Sequence, residues 1–94
     1  MKHVVEYIGY FRIKAGCEYS EIEMPESFRV LDLIIAVEKE LKDRSFNVLE
    51  GNELKDGVLL FRRNEQGGMV RCKISAGLSE TGGRIIMANL MGGG

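Results

Sequence analysis

The chain opens on a run of strand-forming side chains. His3 to Lys14 (HVVEYIGYFRIK) is rich in Val, Ile, Tyr and Phe, and its length suits one long β-strand. Ala15-Gly16 reads as a turn. Tyr19 to Met24 then alternates polar and apolar, with Ile22 and Met24 on one face, as a second strand closed by Pro25. The period changes from Phe28 or Val30. Val30, Leu33, Ile34, Val37 and Leu41 fall at i, i+3, i+4, i+7 and i+11, one face of an amphipathic helix. Leu31 and Ile35 widen that face. Glu38, Lys39, Glu40, Lys42 and Asp43 crowd its wet side, and Ser27 is the nearest expected N-cap. The segment 44–57 is polar with scattered apolars and ends on the turn pair Asp56-Gly57. Val58–Arg63 and Met69–Ile74 predict two strands joined by a glycine-bearing loop. Ser75–Gly83 reads as a turn-rich connection plugged into the core by Leu78. Arg84–Ala88 is the last strand. The order β-β-α-β-β-β implies an α+β fold, a mixed sheet of four to five strands with one main helix on one face.

Composition narrows the choices. At 94 residues the chain holds one domain, expected over 1–88, followed by a tail over 89–94. A formal net charge of −1 offers no general basic footprint for nucleic acid. No apolar run approaches the roughly 20 residues of a membrane span, and the start shows no signal-peptide core, so a cytoplasmic protein is expected. Cys17 and Cys72 stand far apart in no metal spacing. Free buried thiols are the expected state, although one disulfide is possible in principle. Two cysteines and one histidine cannot complete a structural zinc site, so no metal is expected. His3, near the start, is expected as an exposed strand-end residue rather than a catalytic base.

Two charged features have simple readings. Glu21 and Glu23 alternate with apolars and suit a solvated strand face. Arg62, Arg63, Arg71 and Lys73 form a basic strand pair, either edge charge that blunts aggregation or a docking surface for an acidic partner.

The glycines resist a simple reading. There are twelve, against a usual share of about 7%. Three of them, Gly92, Gly93 and Gly94, end the chain directly after the last strand and its short extension. Glycine has no Cβ, so such a tail can enter a narrow channel extended and present a bare carboxylate. That is what an ATP-dependent adenylating enzyme needs to reach.

The order of elements ending in Gly-Gly resembles the ubiquitin-like β-grasp sulfur carriers. These include MoaD, the small subunit of molybdopterin synthase, and the thiamine carrier ThiS. The specific match runs from Leu78 through the Gly82-Gly83 turn and the strand Arg84-Ile85-Ile86-Met87-Ala88 to Gly94. Val30-Leu31-Asp32-Leu33-Ile34 also looks like the family's helix start. Gly83 stands where the family usually has Asp, Asn89-Leu90 where molybdopterin carriers often have Pro-Pro, and Arg29 where Thr is common as the helix cap. The long first strand and roomy connection after it are nearer the molybdopterin type than the thiamine type.

The resemblance implies a carrier rather than an enzyme, with no bound cofactor. Its activating partner would be an E1-like adenylyltransferase of the MoeB or ThiF type, which uses ATP. A sulfur donor would follow, with the large subunit of molybdopterin synthase as a further partner. Gly94 would carry the thiocarboxylate, with Gly93 beside it. Ile85 and Met87 should face the helix. Ile86 and Ala88 should face out as an apolar docking patch, joined in the complex by Leu90, Met91 and Gly92. Two alternatives stay open: a covalent protein modifier on the same fold, and a non-covalent β-grasp interaction module.

Overall fold

A computed structural model describes residues 2–63, 66–79 and 84–90 of the chain. Strand β1 (Lys2–Tyr7) buries alternate side chains His3, Val5 and Tyr7. The chain does not stay extended to Lys14. Gly9 adopts φ 63° and ψ −127°, a conformation only glycine takes without strain, and turns the backbone into a short helix α1 (Tyr10–Ala15). Phe11 and Ala15, spaced i and i+4, drop into the core and fix this helix against the sheet. It ends at Gly16, which is left-handed at φ 76° and donates its N–H to the Arg12 carbonyl. One predicted strand is therefore a strand followed by a helix.

Strand β2 (Tyr19–Glu23) returns antiparallel to β1, with Val4 opposite Glu21 and Val5 opposite Ser20. Ser20 and Ile22 point inward while Glu21 and Glu23 face solvent, as the alternation requires. Strand β3 (Ser27–Arg29) leads directly into the main helix α2 (Val30–Glu40), followed by a single 3₁₀ turn at Lys42–Arg44. The cap is Arg29 rather than Ser27. Asp32 reaches back to accept the Arg29 N–H at 3.1 Å. The N–H groups of Val30 and Leu31 donate to the carbonyls of Ala76 and Ile74. A crossing loop thus seals the helix start, so no hydroxyl cap is needed. Val30, Leu31, Leu33, Ile34 and Val37 are buried, whereas Ile35 lies at the edge of the stripe and is exposed.

The polar stretch after α2 has its own structure. Phe46 and Val48 are buried, and strands β4 (Leu49–Glu50) and β5 (Glu53–Leu54) form a small hairpin. The Glu38 carboxylate fastens this stretch to α2. It accepts the N–H groups of Val48 at 2.7 Å and Leu49 at 3.0 Å.

Strand β6 (Val58–Arg63) pairs antiparallel with β7 (Met69–Arg71), which is shorter than the predicted Met69–Ile74. The chain leaves the ladder after Cys72 because Ile74 and Ala76 supply the carbonyls that close α2. Strand β8 (Gly77–Ser79) pairs with β3, a pairing absent from the expected turn-rich connection. The expected Leu78 plug and the Gly82-Gly83 turn fall outside the described side chains and residues. Strand β9 (Ile85–Asn89) then enters the middle of the sheet, parallel to β1 and antiparallel to β6.

The five-stranded order is β2-β1-β9-β6-β7, with α2 over one face. The core joins Val5, Tyr7 and Ile22 of the sheet to Leu33, Ile34 and Val37 of α2, with Leu60, Ile85 and Met87 beneath. Tyr7 donates its hydroxyl proton to Ser20 Oγ at 2.8 Å, and burial pushes its pKa up to about 12. His3 is also inside, 4% exposed, edge-on to Phe28 at 4.6 Å. The expectation of an exposed histidine fails because β3 lays Phe28 over the end of β1.

Candidate functional site

The candidate site is the C-terminal end of β9 and the sheet face turned away from α2. Ile85 and Met87 do face the helix, and both are fully buried. The next residue differs from expectation. Ile86 lies on the outer face, where its register partners are Glu6 on β1 and Phe61 on β6, yet it is 0% exposed. The central strand is flanked on both sides, and these neighbours are half-buried themselves. The Arg84–Glu6 ion pair, at 3.4 Å, also lies next to it in sequence and register. Ile86 is therefore part of the folded body, and the expectation that it stands exposed for a partner is corrected. Ala88 remains half-buried on the same outer face, opposite Leu59 of β6.

The chain leaves the sheet at Leu90, whose N–H donates to the Gly57 carbonyl at 2.7 Å. Gly57 is at φ 86° in the turn before β6. This bond anchors the root of the tail while the Leu90 side chain is 61% exposed. Met91, Gly92, Gly93 and Gly94 lie outside the described residues. An open groove of about 240 Å³ runs beside the root, bordered by Tyr10 and Phe11 of α1, by Asn47, and by Lys55 and Asp56.

Helix α1 adds a surface that the strand reading concealed. The Ile8 N–H donates to the Met87 carbonyl, so the start of the helical excursion is stitched to β9. From there Ile8, Tyr10 and Ile13 present large apolar side chains to solvent, Ile13 at 79% exposed. The signal available was the pair of glycines, Gly9 and Gly16, bracketing a six-residue stretch with Phe11 and Ala15 on one helical face.

The chemistry-bearing side chains do not gather here. Cys17 is exposed and Cys72 buried, both free, and burial pushes the Cys72 thiol up. Among the described residues, no group of three or more His, Cys, Asp or Glu side chains is placed to hold a metal ion. No helix among them is long and apolar enough to cross a membrane.

A mixed five-stranded sheet grasping one helix, with its last strand inserted at the centre, is the ubiquitin-like β-grasp fold. The chain is similar over 100% of its length to the crystal structure of SAMP1 from Haloferax volcanii, of which it also covers 100%, with a TM-score of 0.74 and 14% sequence identity. No family model and no curated protein matches the sequence.

Proposed function

We propose that this chain is a sulfur carrier, activated at the Gly94 carboxylate. The observation that supports this most is the sequence Gly92-Gly93-Gly94 placed just beyond a central strand whose exit is anchored by the Leu90–Gly57 bond. A fixed root and a slim end are what a channel-threading activation requires.

In the proposed cycle an E1-like adenylyltransferase of the MoeB or ThiF type binds the outer face and tail root. A Gly94 carboxylate oxygen attacks the α-phosphorus of ATP, and pyrophosphate leaves. A donor at the oxidation level of sulfide then attacks the acyl carbon. AMP leaves with the bridging oxygen, a proton is released, and a thiocarboxylate remains on Gly94. The thiocarboxylate then passes its sulfur to a small-molecule acceptor held by another protein. Molybdopterin synthase, with its large subunit as that protein, is the first acceptor system to test, and the thiamine pathway the second. Ala88 and Leu90 are assigned to the docking surface, with Met91 and Gly92 following the tail into the channel. Gly93 keeps the approach narrow. Tyr10 of α1 borders the same exit, and with the exposed Ile13 of that helix it is assigned to the docking surface. A β-grasp protein modifier would use the same activated Gly94, and lysine conjugates recovered intact from cells would favour it.

The test is ATP–pyrophosphate exchange by candidate activating enzymes. The full chain should support exchange, and a chain lacking Gly93 and Gly94 should not. Leu90→Asp should raise the apparent KM for the carrier at least tenfold while leaving its fold unchanged. Equal exchange with the shortened chain would refute the reading.

A further inference from the structure

The basic residues of β6 and β7 have no role in the chemistry above. Segment 58–73 carries Arg62, Arg63, Arg71 and Lys73 against one acid, Glu65, leaving nine basic and thirteen acidic side chains for the rest of the chain. Among the described residues β7 pairs with β6 alone, so Arg71 lies on an open sheet edge, with Arg62 and Arg63 on the strand beside it and Lys73 just past its end. Among the described residues, no carboxylate lies within ion-pair distance of any of the four.

The hydrogen-bond phase of the edge follows from one contact. Cys72 donates its N–H to the Leu60 carbonyl at 2.8 Å. In an antiparallel ladder the direction alternates, so Val70 also turns its backbone toward β6. The backbone groups of Met69 and Arg71 then point outward, away from the sheet. Met69 is 51% exposed and Val70 45%, and they lie on opposite faces of the sheet. Arg71 shares the outer face with Phe61, its register partner. A strand added to this edge would find backbone partners at Met69 and Arg71, apolar contact on both faces, and positive charge beside it.

We propose that the β7 edge takes up an extended, acidic segment of a partner protein by strand addition, with apolar residues alternating between its carboxylates. Charge complementarity selects the occupant. A second copy joined β7 to β7 would bring two sets of the same basic side chains to one seam, a like-charge approach that disfavours such a dimer. The docked segment lies clear of the tail root. Arg71 pairs with Phe61 and Met69 with Arg63, toward the far end of β6, whereas Asn89 pairs with Val58 at its start. The protein can thus be held at this edge with the tail root at Leu90 left uncovered. Occupancy of this edge requires no sulfur chemistry at the tail.

The test uses the full chain alone, without ATP or an activating enzyme, and a blocked peptide of about nine residues alternating Glu and Val. Amide exchange read by NMR should slow at Met69 and Arg71 when the peptide is added. A peptide with Lys in place of Glu should bind at least tenfold more weakly. The double variant Arg71→Glu, Lys73→Glu, both at exposed sites, should lose tenfold or more in affinity with an unchanged circular dichroism spectrum. Unchanged exchange at Met69 and Arg71, equal binding of the two peptides, or protection at β2 instead would overturn the proposal.

Discussion

Replacing Ile86 with Ala separates a folded-body role from a docking role. The side chain is fully buried at the centre of a five-stranded sheet, between Glu6 and Phe61. Removing buried methyl and methylene groups from such a site costs about 2–5 kcal/mol, the spread set by how far the neighbours collapse. Here the cover among the described residues comes from the half-buried strand neighbours Glu6 and Phe61, which can close in. The lower part of that range, about 2–3 kcal/mol, is expected. For a domain of this size each kcal/mol shifts Tm by about 4–8 °C, so the variant should melt roughly 8–24 °C lower. The assay is urea unfolding followed by circular dichroism, with thermal melts as a second readout. Leu90→Ala, at an exposed site, should change stability by less than about 0.5 kcal/mol. A loss below about 1 kcal/mol for Ile86→Ala would refute the burial argument and return Ile86 to the list of free docking residues.

Other expectations test separate contacts. Glu38→Ala removes the acceptor of the Val48 and Leu49 N–H groups and should cost about 2–3 kcal/mol by urea unfolding, with faster amide exchange at both residues. Gly16→Ala forces a left-handed φ of 76° on a residue with a Cβ, and that Cβ would meet the Arg44 guanidinium. A loss of about 1–2 kcal/mol is expected, and none would show that the turn readily changes shape. His3 is the single histidine, and burial lowers its pKa below 6.5, with Nε2 unpartnered among the described residues. The unfolded chain then binds its proton more readily, so stability should fall as pH drops from above 6.5 through the folded value. Urea midpoints at pH 7.5 and 5.5 should differ in the wild type, and His3→Leu should flatten that difference.

Much of the fold was legible because its periodicities are local. The α2 stripe from Val30 to Val37, the alternation through Ile22, and the inward pair Ile85 and Met87 each follow from spacing within one element. What stayed hidden depends on distant partners or on glycine geometry. Helix α1 is written in strand-forming residues, and the conformations of Gly9 and Gly16, with Phe11 and Ala15 packed inward, convert it. Strand β8 exists because β3 lies beside it, and His3 is buried because Phe28 arrives from 25 positions downstream. Alternation places Ile86 on the outer face, but it does not reveal that the strand is central and covered by its neighbours. The outer-face position of Ala88 and the exposure of Leu90 follow from the strand and its short extension, while their part in docking is a proposal. The α1 surface and the groove beside Leu90 were not, since they depend on the unexpected helix.

The decisive measurement is the accurate mass of the C-terminal peptide after incubation with ATP, an activating enzyme shown to adenylate this chain, and a sulfur source. Cleavage after Arg84 isolates Ile85–Gly94. Oxidation of Met87 or Met91 adds nearly the same nominal mass as replacing oxygen by sulfur, so the two must be separated by exact mass and fragmentation. A carrier should show the exchange confined to Gly94. A peptide that remains a plain carboxylate, while the same enzyme and donor load another carrier, would contradict the sulfur-carrier assignment.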